Sequence, residues 1–166
     1  MDMSTLEEAA RAFFADKRIA VVGVSRKSGT SPANAIYKRL RKGGHTAYAV
    51  NPNAETVEGD TCYPNLAALE GQVDAAIIAT RPELAPELVE QCGTLGIKLA
   101  WVHGTFAAPG VSADTQEAAR NNGVTLIAGS CPMLFLEPVD PAHRCLRWFR
   151  RVTKREAEVV SQEPPG

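Results

Sequence analysis

The stretch Ile19-Ala20-Val21-Val22-Gly23-Val24-Ser25-Arg26 decides the fold. A short apolar run rich in β-branched residues stops at Gly23 and gives way to Ser25, Arg26, Lys27, Ser28 and Gly29. Ser31 and Pro32 then open a helix, with Ser31 as N-cap and Pro32 at the first helical position. A strand, a small-residue turn and a helix start in this order make a phosphate cradle. Unpaired backbone N–H groups face outward at a helix start, and the helix dipole favours an anion there.

The alternation continues on both sides. Residues 4–15 read as an amphipathic helix capped by Ser4 or Thr5, with Leu6, Ala9, Ala10, Phe13 and Phe14 on one face. The helix from Pro32 runs to about Lys42 and stops at Gly43, and a second strand covers 47–50 before Asn51-Pro52-Asn53 breaks the chain. A short edge strand falls near 61–63, and Asn65 starts a brief helix through Leu69. Residues 75–79 suit a strand covered on both faces. A helix over 82–95, a strand over 99–102, a helix over 112–122 and a last strand over 124–128 complete the series. Strands alternating with helices of this length predict an α/β fold: a doubly wound parallel sheet in three layers, α/β/α, with extra N- and C-terminal helices.

Composition excludes several function classes. The formal net charge of −1 argues against bulk electrostatic binding of nucleic acid. No apolar run approaches the roughly 20 residues a bilayer span needs. Asp2, Glu7 and Glu8 make the start unlike a signal peptide, so a cytoplasmic protein is expected. Cys62, Cys92, Cys131 and Cys145 form no C-x-x-C pair, which disfavours zinc and thioredoxin-like chemistry and predicts free thiols in a reducing compartment.

Ligands of a doubly wound sheet bind outside the carboxyl ends of its strands, at the switch point. Those ends read Gly23, Val24, Ser25, Arg26 and Lys27; Asn51 and Pro52; Thr80, Arg81 and Pro82; His103, Gly104 and Thr105; and Ser130, Cys131 and Pro132. A dinucleotide is the default occupant, and two features oppose it. The G-x-G-x-x-G turn is incomplete, because Ser25 and Ser28 stand at its second and third glycine positions. The strand-two end offers Asn51 where an acid would hold the ribose hydroxyls. Arg26, Lys27 and Arg81 suit a ligand with more phosphate than NAD carries.

Gly23-Val24-Ser25, Val50-Asn51-Pro52, Thr80-Arg81-Pro82 and Ser130-Cys131-Pro132, in this order and spacing, resemble the small CoA-binding domain family. The run is similar to the N-terminal CoA-binding domain of the succinyl-CoA synthetase alpha subunit, over about residues 15–136. The resemblance implies a Rossmann-like domain, residues 1–160, that holds coenzyme A in the switch-point crevice, followed by a loose tail over 161–166. By it, Gly23 to Lys27 hold phosphates. Asn51-Pro52 and Thr80-Arg81-Pro82 flank the adenosine 3′-phosphate end, and Ser130-Cys131-Pro132 lie on the pantetheine side. The synthetase's second domain, with its phosphorylated histidine, has no counterpart in 166 residues, and His103 does not match that histidine. Asn53, Ala54 and Glu55 stand where the synthetase has a lysine just past the strand-two proline.

Each residue also has a plainer reading. Arg26 and Lys27 could be solvated turn residues, and Arg81 could serve a surface ion pair. His103 reads as a satisfied strand-end histidine, since no nucleophile pairs with it in the sequence. Cys131 reads as an inert thiol unless a helix start or cation activates it; Cys62, Cys92 and Cys145 read as packing residues. Residues 140–159 read as a helix capped by Asp140. Its apolar stripe, Leu146, Phe149 and Val152, packs inward, and its basic face carries Arg144, Arg147, Arg150, Arg151, Lys154 and Arg155. That face could alternatively dock a protein partner. Three functions remain: binding of coenzyme A or an acyl-CoA without catalysis, an NAD(P)-dependent oxidoreductase, and a nucleotide-sensing interaction module.

Overall fold

Burial along the strands sets the layers. In the computed structural model, which describes residues 5–15, 17–27, 29, 31–104, 111–139, 141–152 and 158–160, the first strand β1 (Arg18–Val22) is exposed only at Arg18. Its residues alternate between two cores. Ile19 and Val21 face one cluster with Phe13, Ile36, Tyr37, Leu40, Ile77 and Trp101, and Ala20 and Val22 face another with Leu69, Ile78, Val89, Val102 and Leu126. A strand with both faces buried reads as a continuous apolar run, which is why β1 was visible in the sequence.

The helices divide accordingly. On the first face lie α1 (Leu6–Phe14) and α2 (Pro32–Lys42), and on the second α3 (Ala85–Thr94) and α4 (Ala113–Asn122). Thr5 caps α1 through a capping box: its side chain accepts the Glu8 N–H at 3.2 Å, and its own N–H donates to Glu8 Oε2 at 3.3 Å. Ser31 caps α2, Ser112 caps α4, and Gly123 ends α4 in the left-handed conformation at φ 69°.

The remaining strands are β2 (Thr46–Val50), β3 (Thr56–Val57), β4 (Asp60–Tyr63), β5 (Ala75–Ile78), β6 (Leu99–His103), β7 (Thr125–Ser130) and β8 (Glu158–Val160). The sheet order is β3-β4-β2-β1-β5-β6-β7-β8. Strands β4, β2, β1, β5, β6 and β7 pair in parallel, while β3 and β8 add antiparallel edges. Val22 is level with Val50 and Ile78, and Ile78 with Val102, so the carboxyl ends align along one edge. The chain switches direction across the sheet between β1 and β5, the expected three-layer, doubly wound plan.

Several expectations are corrected. The strand near 61–63 is internal, because the two-residue β3 pairs outside it through a turn at Glu58-Gly59. The helix expected over 82–95 is a 3-10 turn, Pro82–Leu84, leading into α3, with Pro86 near the start of the α-helix proper. The strand over 124–128 is not the last. It extends to Ser130, and β8 pairs back on it. The C-terminal helix, α5, covers Pro141–Val152 rather than 140–159. Ser4, Ser28, Thr105, Asp140, Lys154, Arg155 and the tail 161–166 lie outside the described residues.

Candidate functional site

The turn after β1 is tied down before any ligand is considered. Gly23 has φ +101°, and a Cβ there would sit 2.3 Å from the Ala79 carbonyl oxygen and 3.0 Å from Thr80 Cγ2. Only glycine lets the β1 end pass this close to the β5 end, so Gly23 and Thr80 are brought together. The Gly23 N–H donates to Val50 O at 3.1 Å, and the Ala79 N–H to Val22 O at 2.9 Å. Asn51 reaches back from the end of β2 and donates Nδ2–H to Val24 O at 2.5 Å. Its Oδ1 accepts the Asn53 N–H at 2.7 Å, an Asx turn across Pro52.

Sequence reasoning missed Asn34, in the first turn of α2 and fully buried. Its Oδ1 accepts the Ser25 N–H at 2.6 Å, and its Nδ2 donates to Ser25 O at 2.9 Å and to Glu58 Oε1 at 2.9 Å. Ser25 Oγ accepts the Lys27 N–H at 3.1 Å. Helix α2 itself offers little: Pro32 has no N–H, and the Ala33 N–H goes to Ser31 Oγ at 3.2 Å. The cradle therefore presents fewer backbone donors than the bare pattern implies. Among the described residues, the Val24 and Arg26 N–H groups make no hydrogen bond.

The cations stand around this turn. Arg26, Lys27 and Arg81 are exposed, and Arg26 and Arg81 make no ion pair among the described residues. Arg81 precedes the 3-10 turn Pro82–Leu84 without a side-chain cap. Pro52 and Pro82 are exposed on the same edge.

A second group gathers where β6 and β7 end. Gly104 lies against the Gly129 backbone, where a Cβ would approach to 2.6 Å, and its N–H donates to Ser130 O at 3.1 Å. The register slips between Val102 and His103, so that His103 pairs with Ser130 and Gly129, at φ +78°, is the bulged residue. The bulge returns Ser130 to the face that Ile127 and Trp101 occupy. Trp101 donates its indole N–H to Ser130 O at 3.0 Å. Ser130 Oγ is completely buried and has no hydrogen-bond partner among the described residues. His103 and Cys131 are half-buried, and buried Pro132 begins the turn that carries Leu134 into the core.

The other thiols differ from expectation in one case. Cys62 and Cys92 are buried; burial pushes the Cys62 thiol up and the Cys92 thiol up to about 12. Cys145 is exposed, so it is not a packing residue. The helix that carries it also turns differently. Leu146 is half-buried, but Trp148 is 63 % and Phe149 45 % exposed. Arg147 faces the body instead, pairing with Glu7 at 2.9 Å and lying 5.0 Å over the Phe135 ring.

These features define a doubly wound α/β domain with a small-residue, cation-flanked carboxyl edge. The chain belongs to the CoA-binding domain family, whose pattern it matches over residues 17–137. It is 35 % identical over 124 residues to an ADP-forming acetate–CoA ligase I of Archaeoglobus fulgidus, covering 71 % of this chain and 18 % of that protein. A hypothetical protein of Pyrococcus horikoshii has a similar structure, with TM-score 0.71 and 28 % identity, covering 82 % of this chain and 93 % of the other. The dinucleotide-forming acetyl-coenzyme A synthetase 1 of Ca. Korarchaeum cryptofilum aligns with TM-score 0.59 and 28 % identity, over 70 % of this chain and 26 % of the synthetase. This chain spans less than a third of the length of the curated ligases it matches. Among the described residues, no helix is long and apolar enough to cross a membrane.

Proposed function

We propose that this protein binds coenzyme A or an acyl-CoA at the carboxyl edge of the sheet and has no catalysis of its own. The observation that carries the reading is the aligned edge itself. Four strand-end motifs that resemble the family's meet there, with Arg26 and Arg81 unpaired among the described residues beside a turn whose backbone is fixed. Arg26, Lys27 and Arg81 would meet the phosphates, with Asn51-Pro52 and Thr80-Pro82 walling the adenosine end. His103, Gly104, Ser130, Cys131 and Pro132 would border the pantetheine arm. The partnerless Ser130 hydroxyl fits this, since a buried polar atom without a partner costs about 1–3 kcal/mol and a polar ligand group can relieve it. The bound group would supply a thiol that carries acyl chains; the protein's part is to hold it. A reducing, cytoplasmic setting fits four cysteines that form no disulfide.

Calorimetric titration with CoA, dephospho-CoA, NAD, NADP and ATP tests the reading. CoA is expected to bind most tightly. Equal or tighter NAD or NADP binding would support an oxidoreductase instead. Turnover of ATP, CoA and a carboxylic acid by the purified chain would overturn the non-catalytic part.

A second reading has its own observation. Helix α5 exposes Trp148 and Phe149 in a segment with four arginines and no acid, a composition typical of protein contacts. The domain would then signal its nucleotide state through α5. Binding of a protein partner that changes with CoA and is lost in Trp148→Ala would support it.

A further inference from the structure

The turn after β1 is held by two residues that a phosphate cradle does not by itself require. We infer that Asn34, seated by Glu58, is a positioning residue that selects the Arg26 N–H as the backbone donor the turn presents to an anion. The inference rests on the anion-binding reading above.

The geometry follows from peptide planarity. In a trans peptide the C=O and the N–H point in opposite directions. Ser25 O and the Arg26 N–H belong to one peptide group. Asn34 Nδ2 holds that oxygen at 2.9 Å, so the Arg26 N–H faces away from Asn34 and the start of α2. The preceding peptide carries Val24 O and the Ser25 N–H. It is clamped on both sides, by Asn51 Nδ2 at 2.5 Å and Asn34 Oδ1 at 2.6 Å. The two asparagines thus fix two consecutive peptide planes. The Gly23, Ser25 and Lys27 N–H groups are already taken. Of the two that make no hydrogen bond among the described residues, that of Val24 belongs to a residue only 1 % exposed, whereas Arg26 is exposed. Its own guanidinium leaves from the same residue, so one position offers a backbone donor and a charge together.

Glu58 determines which way round the Asn34 amide sits. A carboxamide has one accepting and one donating end, and Glu58 Oε1 takes the second Nδ2–H at 2.9 Å. A flipped amide would point its oxygen at both a carboxylate and a carbonyl. Glu58 also stands at φ +52° in the hairpin turn between β3 and β4, a left-handed conformation that non-glycine residues rarely adopt. Its other oxygen lies 3.7 Å from Lys38 Nζ on α2. A strained backbone held by carboxylate contacts to another element marks a constrained position rather than an ordinary surface turn.

The test compares Asn34→Asp, Glu58→Ala and Glu58→Gln by CoA titration and amide NMR on the full chain. Asn34→Asp keeps the acceptor for the Ser25 N–H but removes both donors, so CoA affinity is expected to fall at least tenfold. Glu58→Ala is expected to weaken binding severalfold. Glu58→Gln, which retains an accepting oxygen, is expected to stay near wild type. In the wild type, CoA should shift the Arg26 amide resonance more than those of Gly23, Val24 and Ser25. Unchanged affinity in folded Asn34→Asp and Glu58→Ala, or a dominant shift at Gly23, Val24 or Ser25, would overturn the inference. The ligand reading fails separately. If CoA does not bind, Ser25 amide exchange still decides the clamp: slow exchange in wild type and fast in Glu58→Ala supports it, and fast exchange in wild type removes it.

Discussion

The two ends of β1 treat charge in opposite ways. At the amino end, Arg18 donates Nε and Nη2 to the two oxygens of Asp74 at 2.9 and 2.8 Å, and its backbone N–H adds a third bond at 3.0 Å. Cation and acid cancel within the protein. At the carboxyl end, Arg26 and Arg81 make no ion pair among the described residues, while the nearby acid Glu58 is engaged by Asn34 and Lys38. One strand therefore joins an edge that is electrostatically closed to an edge whose positive charge awaits a partner. The carboxyl edge is distinguished by fixed backbone together with Arg26 and Arg81 unpaired among the described residues, since polar residues occur at both.

The largest expected effect comes from breaking the close approach at the carboxyl end. Gly23→Val places a branched side chain against the Ala79 carbonyl at a φ of +101°. Overpacking and backbone strain together predict a loss of about 3 kcal/mol or more. At roughly 2–4 °C per kcal/mol for a domain of this size, Tm falls by about 10 °C. Gly29→Ala is the control. It has φ +78° but nothing within 4 Å, so it carries only the conformational cost of about 1 kcal/mol. Equal shifts in thermal melts of the two variants would show that the β1–β5 contact is not tight.

Removing cations from the carboxyl end is the next step down, and it acts on ligand rather than fold. The double variant Arg26→Ala/Lys27→Ala is expected to weaken CoA by about 1.5–3 kcal/mol, roughly ten- to a hundredfold, at unchanged Tm. A greater loss for CoA than for dephospho-CoA assigns the pair to the 3′-phosphate. Equal losses assign it to the pyrophosphate, and no loss would make the carboxyl edge as closed as the amino edge.

A smaller effect separates the two halves of the carboxyl edge. Trp101→Phe keeps the ring in the core but deletes the indole N–H that Ser130 O accepts, leaving that carbonyl the Gly104 N–H. A cost of about 1–2 kcal/mol is expected in chemical denaturation. Little change in CoA affinity is expected if phosphate recognition resides at the β1 end. A loss of affinity as large as that of the Arg26/Lys27 pair would instead move the main contact to the β6–β7 end.

How much of this was legible depended on how local the cause was. The doubly buried strands β1 and β5 and the caps Thr5 and Ser31 each declare themselves within a few residues. Strands β3 and β8, of two and three residues, are too short for any periodicity, and β8 begins inside the stretch 140–159 that reads as one helix. Asn34 looks like an ordinary polar residue in a first helical turn. Its burial depends on Ser25 and on Glu58, 24 residues away. The bulge at Gly129 is equally invisible, because it depends on pairing with β6, yet it decides where Ser130 points. The motif ends were readable as positions. Which of their donors are already occupied was not, because those partners come from other elements.

The smallest expected effect belongs to the closed amino end. Hydrogen bonds from the Arg18 side chain, and then from its backbone N–H, hold Asp74 well below the usual carboxylate range, at about 2. A carboxylate whose folded pKa is depressed adds stability above its unfolded pKa and loses that contribution as pH falls toward the folded value. The pair should therefore support the fold fully above about pH 5 and fade between about pH 4 and 2. Both side chains are more than a third exposed, at 44 % and 36 %, so water and salt screen the interaction and the change is modest. Asp74→Asn should flatten this part of the acid stability curve and leave CoA binding at neutral pH unaltered, because the substitution lies at the opposite edge from the cations. An acid limb unchanged by Asp74→Asn would show that the amino-end pair contributes nothing. A drop in CoA affinity would show that the two ends of β1 are coupled through the strand, and that the edges cannot be treated as separate.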